Sequence, residues 1–304
     1  MVFAAVHNTV LISDGGLATE LEARGHDLSD DLWSARLLVD SPQEIVAVHE
    51  AFYRAGADIA TTASYQASFD GFAERGFAPR EAEQLLIRSV DLARTARDNV
   101  GGEGWVAASV GPYGAALANG EEYVGRYGLT VAQLADWHRR RLEVLVSAEP
   151  DILALETVPD VDEAEALAGL VREYGIPAWL SYTIADGRTR AGQSLEEAFA
   201  VAADVPEIVA VGINCSAPAE VFGAIEVARR VTDKAVIVYP NSGEEWDGRR
   251  RTWVGTGGFD ANAATQWAAA GANIIGGCCR VSPADIAAIR RSGPTASGTP
   301  EPCR

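Results

Sequence analysis

Eight short apolar segments, each followed by a segment with helical periodicity, constrain the fold of this chain more than any other feature. The segments are continuously apolar, a pattern typical of parallel strands that are buried on both faces. They cover residues 10–13, 58–63, 105–110, 151–155, 178–183, 208–213, 235–239 and 273–276. Eight strand–helix units in 304 residues predict an α/β fold, a single-domain (β/α)8 TIM barrel. A doubly wound open sheet is the alternative.

The segments between these strands carry helix signals of their own. Ile45, Val48 and Phe52 recur at spacings of three and four residues, which predicts a helix over residues 42–55. Gly56 is placed to end that helix. Further helices are predicted over residues 79–100, 130–148, 160–174, 194–203, 218–231, 260–270 and 282–291.

Two connections and the C-terminus differ from this regular pattern. Residues 111–129 and 240–259 are long connections that follow predicted strands, and long loops at that face of a barrel are usually functional. We expect the barrel to cover residues 1–291. Residues 292–304 are rich in Ser, Gly, Pro and Thr, which predicts a disordered C-terminal tail.

The charge balance excludes two classes of partner. The chain has 25 basic and 43 acidic residues, a formal net charge of −18, and such a field repels nucleic acid and anionic membranes. No apolar run approaches the roughly 20 residues that cross a bilayer, and we see no signal peptide at the N-terminus. Four cysteines in such a chain predict reduced thiols and a cytoplasmic location. We expect a monomer or a small homo-oligomer.

Three of the four cysteines follow predicted strands. Cys215 comes after the sixth strand, and Cys278 and Cys279 come after the eighth. The active site of such a barrel lies at these strand ends, and three thiolates suit Zn²⁺ while leaving a fourth ligand position open for a substrate. Gly276 and Gly277 let the backbone bend so that consecutive thiols face one ion. A vicinal Cys278–Cys279 disulfide with a redox role is the alternative.

Two carboxylates also stand at predicted strand ends. Asp14 follows the first strand and Glu156 the fourth. They predict either a general acid and base or a site for a substrate ammonium group, and a thiolate–metal site nearby favours the ammonium. Gly15 and Gly16 would allow close approach and offer backbone N–H groups to a carboxylate. For Asp14 the alternative is a cap of the turn that follows it.

Six motifs in order along the chain, to about residue 291, resemble the homocysteine S-methyltransferase family. They are Asp14-Gly15-Gly16-Leu17-Ala18-Thr19-Glu20-Leu21, Leu32-Trp33-Ser34-Ala35, Thr62-Ala63-Ser64-Tyr65-Gln66, Leu155-Glu156-Thr157, Gly212-Ile213-Asn214-Cys215 and Gly276-Gly277-Cys278-Cys279-Arg280. The two cysteine motifs are specific when they occur together.

The resemblance implies a zinc-dependent barrel enzyme that methylates homocysteine to methionine. The zinc ligands, through which the catalysis runs, map onto Cys215, Cys278 and Cys279. The residues that bind homocysteine or line the donor pocket map onto Asp14, Gly15, Glu156, Tyr65 and Trp33.

The methyl donor that the resemblance implies is a sulfonium, S-methylmethionine first and S-adenosylmethionine second. We expect neither the longer C-terminal region of the betaine-using branch nor the further domains of the cobalamin-dependent synthases in this protein. Two aromatic residues of the long connections, Tyr113 and Trp246, are expected beside the donor cation together with Trp33 and Tyr65. Three alternatives stay open: a betaine-type homocysteine methyltransferase, a metal-dependent lyase or hydrolase, and a non-enzymatic zinc- or redox-responsive protein.

Overall fold

Eight parallel strands form the centre of the molecule and close into a barrel. The computed structural model describes residues 10–28, 34–247, 252–255, 257 and 260–294. The barrel strands are β1 (Leu11–Ile12), β2 (Ile59–Thr61), β3 (Trp105–Val110), β4 (Ile152–Val158), β5 (Ala178–Tyr182), β6 (Ile208–Asn214), β7 (Ala235–Tyr239) and β8 (Ile274–Ile275). Strands β2 to β8 pair in chain order, β8 pairs with β1, and a bridge between Ser13 and Ile59 joins β1 to β2. The predicted barrel is confirmed, and the open sheet is wrong.

Helices surround the barrel, and all eight predicted ones are present. The α-helices of the described ranges are α1 (Leu17–Ala23), α2 (Ser34–Asp40), α3 (Pro42–Ala55), α4 (Phe69–Glu74), α5 (Pro79–Asn99), α6 (Tyr113–Ala116), α7 (Val131–Ser147), α8 (Val161–Tyr174), α9 (Leu195–Ala200), α10 (Val221–Val231), α11 (Ala261–Ala270) and α12 (Pro283–Ser292). Helix α9 ends three residues earlier than predicted. The short helices α1, α2, α4 and α6 lie in connections and were not predicted, since none is long enough to show a clear period.

The helix ends are fixed by residues that the sequence marks. Gly56 follows α3 with a φ of 101°, a left-handed conformation that glycine adopts readily. At the start of α12, the Ser282 side chain accepts a hydrogen bond from the backbone N–H of Asp285. Ser194 caps α9 in the same way, with Glu197 as the donor. These caps set where each helix leaves its strand.

The apolar core has two layers, separated by the wall of the barrel. Residues of β3 alternate between them, because Ala107 belongs to one cluster and Val106 and Ala108 belong to the other. The larger cluster also contains Leu86 of α5 and Leu142 of α7, so it fills the space between sheet and helices. The smaller cluster fills the barrel interior, as a packed (β/α)8 barrel requires.

Most irregular structure lies at the carboxyl ends of the strands. Residues 111–129, predicted as a long connection, contain α6 and a 3₁₀ turn at Glu121–Tyr123. The long connection after β7 contains an antiparallel hairpin of Glu245–Asp247 and Thr252–Val254. Within the described residues, no helix has the length and apolar character needed to cross a membrane. The predicted disordered tail falls mostly on residues 295–304, which lie outside the described residues.

Candidate active site at the barrel mouth

A cavity opens at the carboxyl ends of the strands. Seven of the eight residues predicted for the site line it: Asp14, Gly15, Tyr65, Glu156, Cys215, Cys278 and Cys279. The eighth, Trp33, lies outside the described residues. Residues far apart in sequence are therefore brought to one place by barrel closure.

Three sulfur atoms meet at one side of this cavity. The Sγ atoms of Cys215, Cys278 and Cys279 lie within 4.8 Å of one another, although β7 separates β6 from β8. Cys215 and Cys278 form a disulfide with their Cα atoms 5.5 Å apart, and Cys279 is a free thiol. The alternative of a vicinal Cys278–Cys279 disulfide is therefore wrong. With the Cys215–Cys278 bond reduced, the same three sulfurs form a donor set for one soft metal ion.

Close packing of glycines places the two cysteines that follow β8. A Cβ atom on Gly277 would lie 2.2 Å from Cγ1 of Val281, and one on Gly276 would lie 2.8 Å from the carbonyl oxygen of Asp14. The Gly277 N–H donates to that same carbonyl at 3.0 Å. The amide groups of both cysteines donate to the connection after β7. The end of β8 is thus held between β1 and the β7 connection, which fixes where its thiols point.

Asp14 lies at the seam where β1 meets β2 and is 2 % exposed. Its Oδ2 accepts a hydrogen bond from the backbone N–H of Thr61 at 2.8 Å, and its Oδ1 accepts one from the Thr61 hydroxyl at 3.1 Å. The Ser13 hydroxyl donates to Oδ1 at 3.3 Å. These bonds run to β2 and to the preceding residue, so the interpretation of Asp14 as a cap of the following turn is wrong. Burial outweighs them and raises the pKa of Asp14 to about 8, which leaves a carboxyl group poised to gain a cationic partner.

The glycines after Asp14 serve the packing of the chain itself. The Gly16 N–H donates to the carbonyl oxygen of Val281 at 2.9 Å, so it is not available to a substrate carboxylate as predicted. A Cβ atom on Gly15 would lie 2.4 Å from the same oxygen. Gly15 lines the cavity, and its contact with homocysteine stays a prediction.

Glu156 lies inside β4, which continues to Val158 instead of ending at residue 155 as predicted. Its Oε1 accepts a short hydrogen bond from the Ser109 hydroxyl, and Tyr239 also hydrogen-bonds to the carboxyl group. Burial raises the pKa of Glu156 to about 7. Asp14 and Glu156 therefore line one cavity as two buried carboxyl groups, each surrounded by hydroxyl or amide donors.

Thr157 continues β4 in a conformation that threonine rarely adopts, with a φ of 58°. The buried side chain of Asn214 holds it there. Asn214 Oδ1 accepts from the Thr157 N–H at 2.7 Å, and Asn214 Nδ2 donates to the Thr157 hydroxyl at 2.7 Å. The Ser181 hydroxyl also donates to Oδ1, at 2.8 Å. Since Asn214 precedes Cys215, which itself has a φ of 47°, one side chain fixes both Glu156 and Cys215 through their neighbours.

Tyr65 owes its position to a buried arginine that the sequence did not reveal. Arg141 of α7 is 2 % exposed and donates to the carbonyl oxygens of Ser64 and Tyr65 at 2.7 Å each. It also donates to the carbonyl oxygen of Gly111 at 2.9 Å. A Cβ atom on Gly111 would lie 2.7 Å from Cδ2 of Tyr65, so the ring lies directly over that glycine.

The connection after β3 contributes Glu122 and Tyr123 to the cavity, and neither was predicted. Burial first and the charge of Glu122 second raise the pKa of the Cys279 thiol to about 12. Glu122 thus lines the same cavity as the three cysteines. The length of the connection predicts function, but its sequence does not distinguish the residues that face the cavity.

Tyr113 was predicted beside the donor cation, and this prediction is wrong. Its ring packs against Tyr127 and Trp137 at centroid distances of 5.2 and 5.1 Å, and the cavity is lined by Tyr123 in its place. Trp246 lies in the hairpin after β7, and its contact with a donor stays a prediction. The backbone of α6 turns the earlier tyrosine toward α7, which the sequence could not indicate.

Comparison with known proteins gives consistent findings. A family model described as homocysteine S-methyltransferase matches residues 11–292. Homocysteine S-methyltransferase 4 of Zea mays is 47 % identical over 302 residues, covering 92 % of this chain and 88 % of that protein. Homocysteine S-methyltransferase of Escherichia coli strain K12 is 46 % identical over 292 residues, covering 92 % and 94 % of the two chains.

Solved structures agree in fold. The oxidized form of the homocysteine methyltransferase MmuM from Escherichia coli gives a TM-score of 0.84 at 45 % identity, covering 93 % of this chain and 95 % of that one. Its metallated form gives a TM-score of 0.83 at 44 % identity, covering 93 % and 96 %. This chain belongs to the homocysteine S-methyltransferase family, as its motifs predict, and is a barrel methyltransferase.

Proposed function

We propose that this enzyme transfers a methyl group from a sulfonium donor to the thiol of homocysteine, giving methionine, with Zn²⁺ held by Cys215, Cys278 and Cys279. One observation carries the proposal: three sulfur atoms within 4.8 Å share a cavity with two buried carboxyl groups. S-methylmethionine is the preferred donor, and S-adenosylmethionine is the second.

The donor set fits zinc. Tetrahedral Zn²⁺ with Zn–S distances of about 2.3 Å separates its sulfur ligands by about 3.8 Å, and the three Sγ atoms lie within a comparable span. Three cysteines leave one ligand position for a substrate sulfur. Zn²⁺ bound there would lower the pKa of the homocysteine thiol and keep the resulting thiolate nucleophilic at neutral pH.

Asp14 and Glu156 are the proposed site for the homocysteine ammonium group. Each carboxyl group is buried, and each already accepts hydrogen bonds from hydroxyl or amide groups. Burial is the largest cause of their raised pKa values, and at Glu156 it outweighs the charge of Arg141; an ammonium group between the two carboxyl groups would favour their ionised forms. Holding the amino acid at its ammonium end leaves its side-chain sulfur free to reach the three cysteines.

The transfer step is a direct displacement. A lone pair of the homocysteine sulfur forms the new bond to the donor methyl carbon, and the bond from that carbon to the donor sulfonium breaks. Its electron pair returns to the donor sulfur, which becomes a neutral thioether. The thiol proton leaves to solvent. With S-methylmethionine both products are methionine, and the role of the chain is to align the two sulfur atoms on opposite sides of the methyl group.

The charge of the cavity supports a cationic donor. Its lining, taken over the described residues, has three carboxyl groups and no lysine, arginine or histidine side chain. S-methylmethionine and S-adenosylmethionine each carry a sulfonium and an ammonium group against one carboxylate, whereas betaine has no net charge. We also place the enzyme in the cytoplasm, because reduced thiols are needed to bind the metal.

Replacing Cys278 by serine tests the proposal. We expect the wild-type enzyme, supplied with Zn²⁺ and homocysteine, to form methionine from S-methylmethionine faster than from S-adenosylmethionine or betaine. Cys278→Ser should reduce bound zinc, measured by mass spectrometry of metals, and should lower kcat at least about a hundredfold, because a tetrahedral site loses one of three protein ligands.

Cys303→Ser is the matched control, since Cys303 is outside the family motifs. Full zinc content and full activity in Cys278→Ser would contradict the proposed site. Turnover of homocysteine without any methyl donor would favour the lyase alternative, and thiol oxidation without turnover would favour a redox-responsive protein.

A further inference from the structure

A third buried carboxyl group faces the cavity and has no part in the reaction described above. Glu122 lies in the 3₁₀ turn Glu121–Tyr123 and is 4 % exposed. Its own backbone N–H donates to the carboxyl group, but Oε2 has no hydrogen-bond partner. Buried carboxyl oxygens nearly always have partners, so the unpartnered Oε2 atom of Glu122 needs an explanation.

The surroundings of Glu122 combine negative charge with aromatic rings. Tyr65 and Tyr123 line the same cavity, and the charge of Glu122 contributes to raising the pKa of each tyrosine. None of the described residues that line the cavity is basic. The Arg190 guanidinium lies outside this lining, 5.4 Å from the centre of the Tyr123 ring, and it leaves Oε2 of Glu122 without a partner; a bound cation would supply that partner.

We infer that Glu122, with Tyr65 and Tyr123 beside it, is the binding site for the sulfonium group of the methyl donor; this inference rests on the proposed function. A sulfonium has no N–H group, so it is bound by charge and by aromatic faces. An ammonium group instead needs several hydrogen-bond acceptors, such as those at Asp14 and Glu156.

The position of Glu122 also agrees with the chemistry. The donor methyl must lie between the donor sulfur and the homocysteine sulfur, so the sulfonium must lie close to the three cysteines. Glu122 and Cys279 line the same cavity, so a donor bound beside Glu122 would share that cavity with the metal-binding sulfurs. The carboxylate, the sulfonium and the metal-binding sulfurs would follow one another across the barrel mouth.

The inference separates donor binding from catalysis. The sulfonium charge disappears as the methyl group is transferred, so the Glu122 carboxylate stabilises the bound donor more than it stabilises the transition state. An interaction of this kind affects KM for the donor and leaves kcat nearly unchanged or lowers it slightly. Removing the charge should therefore raise KM without a comparable loss of kcat.

The test is Glu122→Gln, which keeps the shape of the side chain and removes its charge. With homocysteine saturating and S-methylmethionine varied, we expect the donor KM to rise at least about tenfold and kcat to change less than about threefold. KM for homocysteine and the zinc content should stay within about twofold of wild type. Glu121→Gln, which neutralises the neighbouring and more exposed carboxylate, is the matched control and should leave the donor KM unchanged.

A second donor distinguishes the sulfonium from the ammonium group of S-methylmethionine. Dimethylsulfonioacetate has a sulfonium and no ammonium group, so Glu122→Gln should weaken its binding, as a donor or as a competitor, by a similar factor. A loss confined to S-methylmethionine would overturn the inference, because Glu122 would then bind the ammonium group.

A third variant guards against an effect on folding. Glu122→Asp keeps the negative charge on a side chain that is one methylene group shorter. We expect its donor KM to lie between those of the wild type and Glu122→Gln. A wild-type enzyme that makes methionine from S-methylmethionine, together with an unchanged donor KM in Glu122→Gln, would overturn this inference alone. A wild-type enzyme that makes no methionine from any sulfonium would overturn the proposed function itself.

Discussion

The ends of β4 and β8 both direct functional groups into the barrel mouth, but they do so by different physical means. At β8, Gly276 and Gly277 remove side chains so that the backbone can lie against β1 and Val281. At β4, a β-branched residue, Thr157, adopts a positive φ where the register of the strand shifts between Leu155 and Val158. Such a conformation costs about 1–3 kcal/mol, and three hydrogen bonds of Asn214 offset it.

The difference teaches how each solution depends on the rest of the chain. The glycine pair acts by the absence of side chains, which lets the end of β8 approach Asp14 and Val281 closely. The conformation of Thr157 in β4 depends on Asn214, the last residue of β6. The placement of Glu156 is therefore tied to the strand end that Cys215 follows. A change at Gly277 should therefore disturb the packing at the end of β8 and the two cysteines that follow it, whereas loss of the Asn214 side chain should disturb both Glu156 and Cys215.

The largest expected effect comes from adding one methyl group at β8. In Gly277→Ala the new Cβ would lie 2.2 Å from Val281 Cγ1, and relieving that clash moves the cysteines. We expect a loss of about 3 kcal/mol in the free energy of unfolding, measured by urea denaturation, together with reduced zinc content. Gly223→Ala is the control, since its Cβ would meet nothing within 4 Å in α10, and equal behaviour of the two variants would refute the packing role.

The next largest effect tests whether the conformation at the end of β4 depends on the hydrogen bonds from Asn214. Asn214→Ala removes three buried hydrogen bonds, and we expect a loss of about 2 to 3 kcal/mol in the free energy of unfolding. KM for homocysteine should rise and zinc content should fall in the same variant, because Glu156 and Cys215 adjoin the residues that these hydrogen bonds join. Asn99→Ala, which removes one exposed hydrogen bond to Glu50, should do neither. A loss of stability with both binding functions intact would break the proposed link between the two strands.

The smallest effect is a pH dependence that compares the two carboxyl groups. The pKa of Asp14, beside the end of β8, is raised to about 8, and that of Glu156 in β4 to about 7. At a pH between the ordinary pKa of each carboxyl group and its raised pKa, the group is ionised in the unfolded chain and protonated in the folded chain. The free energy of unfolding therefore falls as pH rises through this window. Below that window both states are protonated, and above it both are ionised.

Without substrate, we expect the free energy of unfolding to fall by about 2 kcal/mol from pH 6 to pH 7, and to keep falling toward pH 8, measured by denaturant titration at each pH. Asp14→Asn should flatten the upper part of this slope and Glu156→Gln the lower part. A stability that rises over this range in the wild-type protein would contradict the raised pKa values.

The sequence was sufficient to predict the fold because every strand and long helix carries a local pattern. It was also sufficient for the cysteines and for Asp14 and Glu156, since each stands at or next to a predicted strand end and barrel strands converge. Glu122 and Tyr123 could not be predicted, because α6 and the following turn decide which residues of a nineteen-residue connection (111–129) face the cavity. Arg141 and the role of Asn214 were missed for a related reason: their partners are distant in sequence, and no local pattern records a tertiary hydrogen bond.

Because β1 pairs with β8, the barrel can close only after the C-terminal part of the chain has been translated. Asp14 is translated early, but its neighbours Gly277 and Cys278 leave the ribosome only near the end of synthesis. A partly synthesised chain has Cys215 alone of the three clustered cysteines. A metal ion held by all three cysteines could therefore bind only after the last strand of the barrel has been translated.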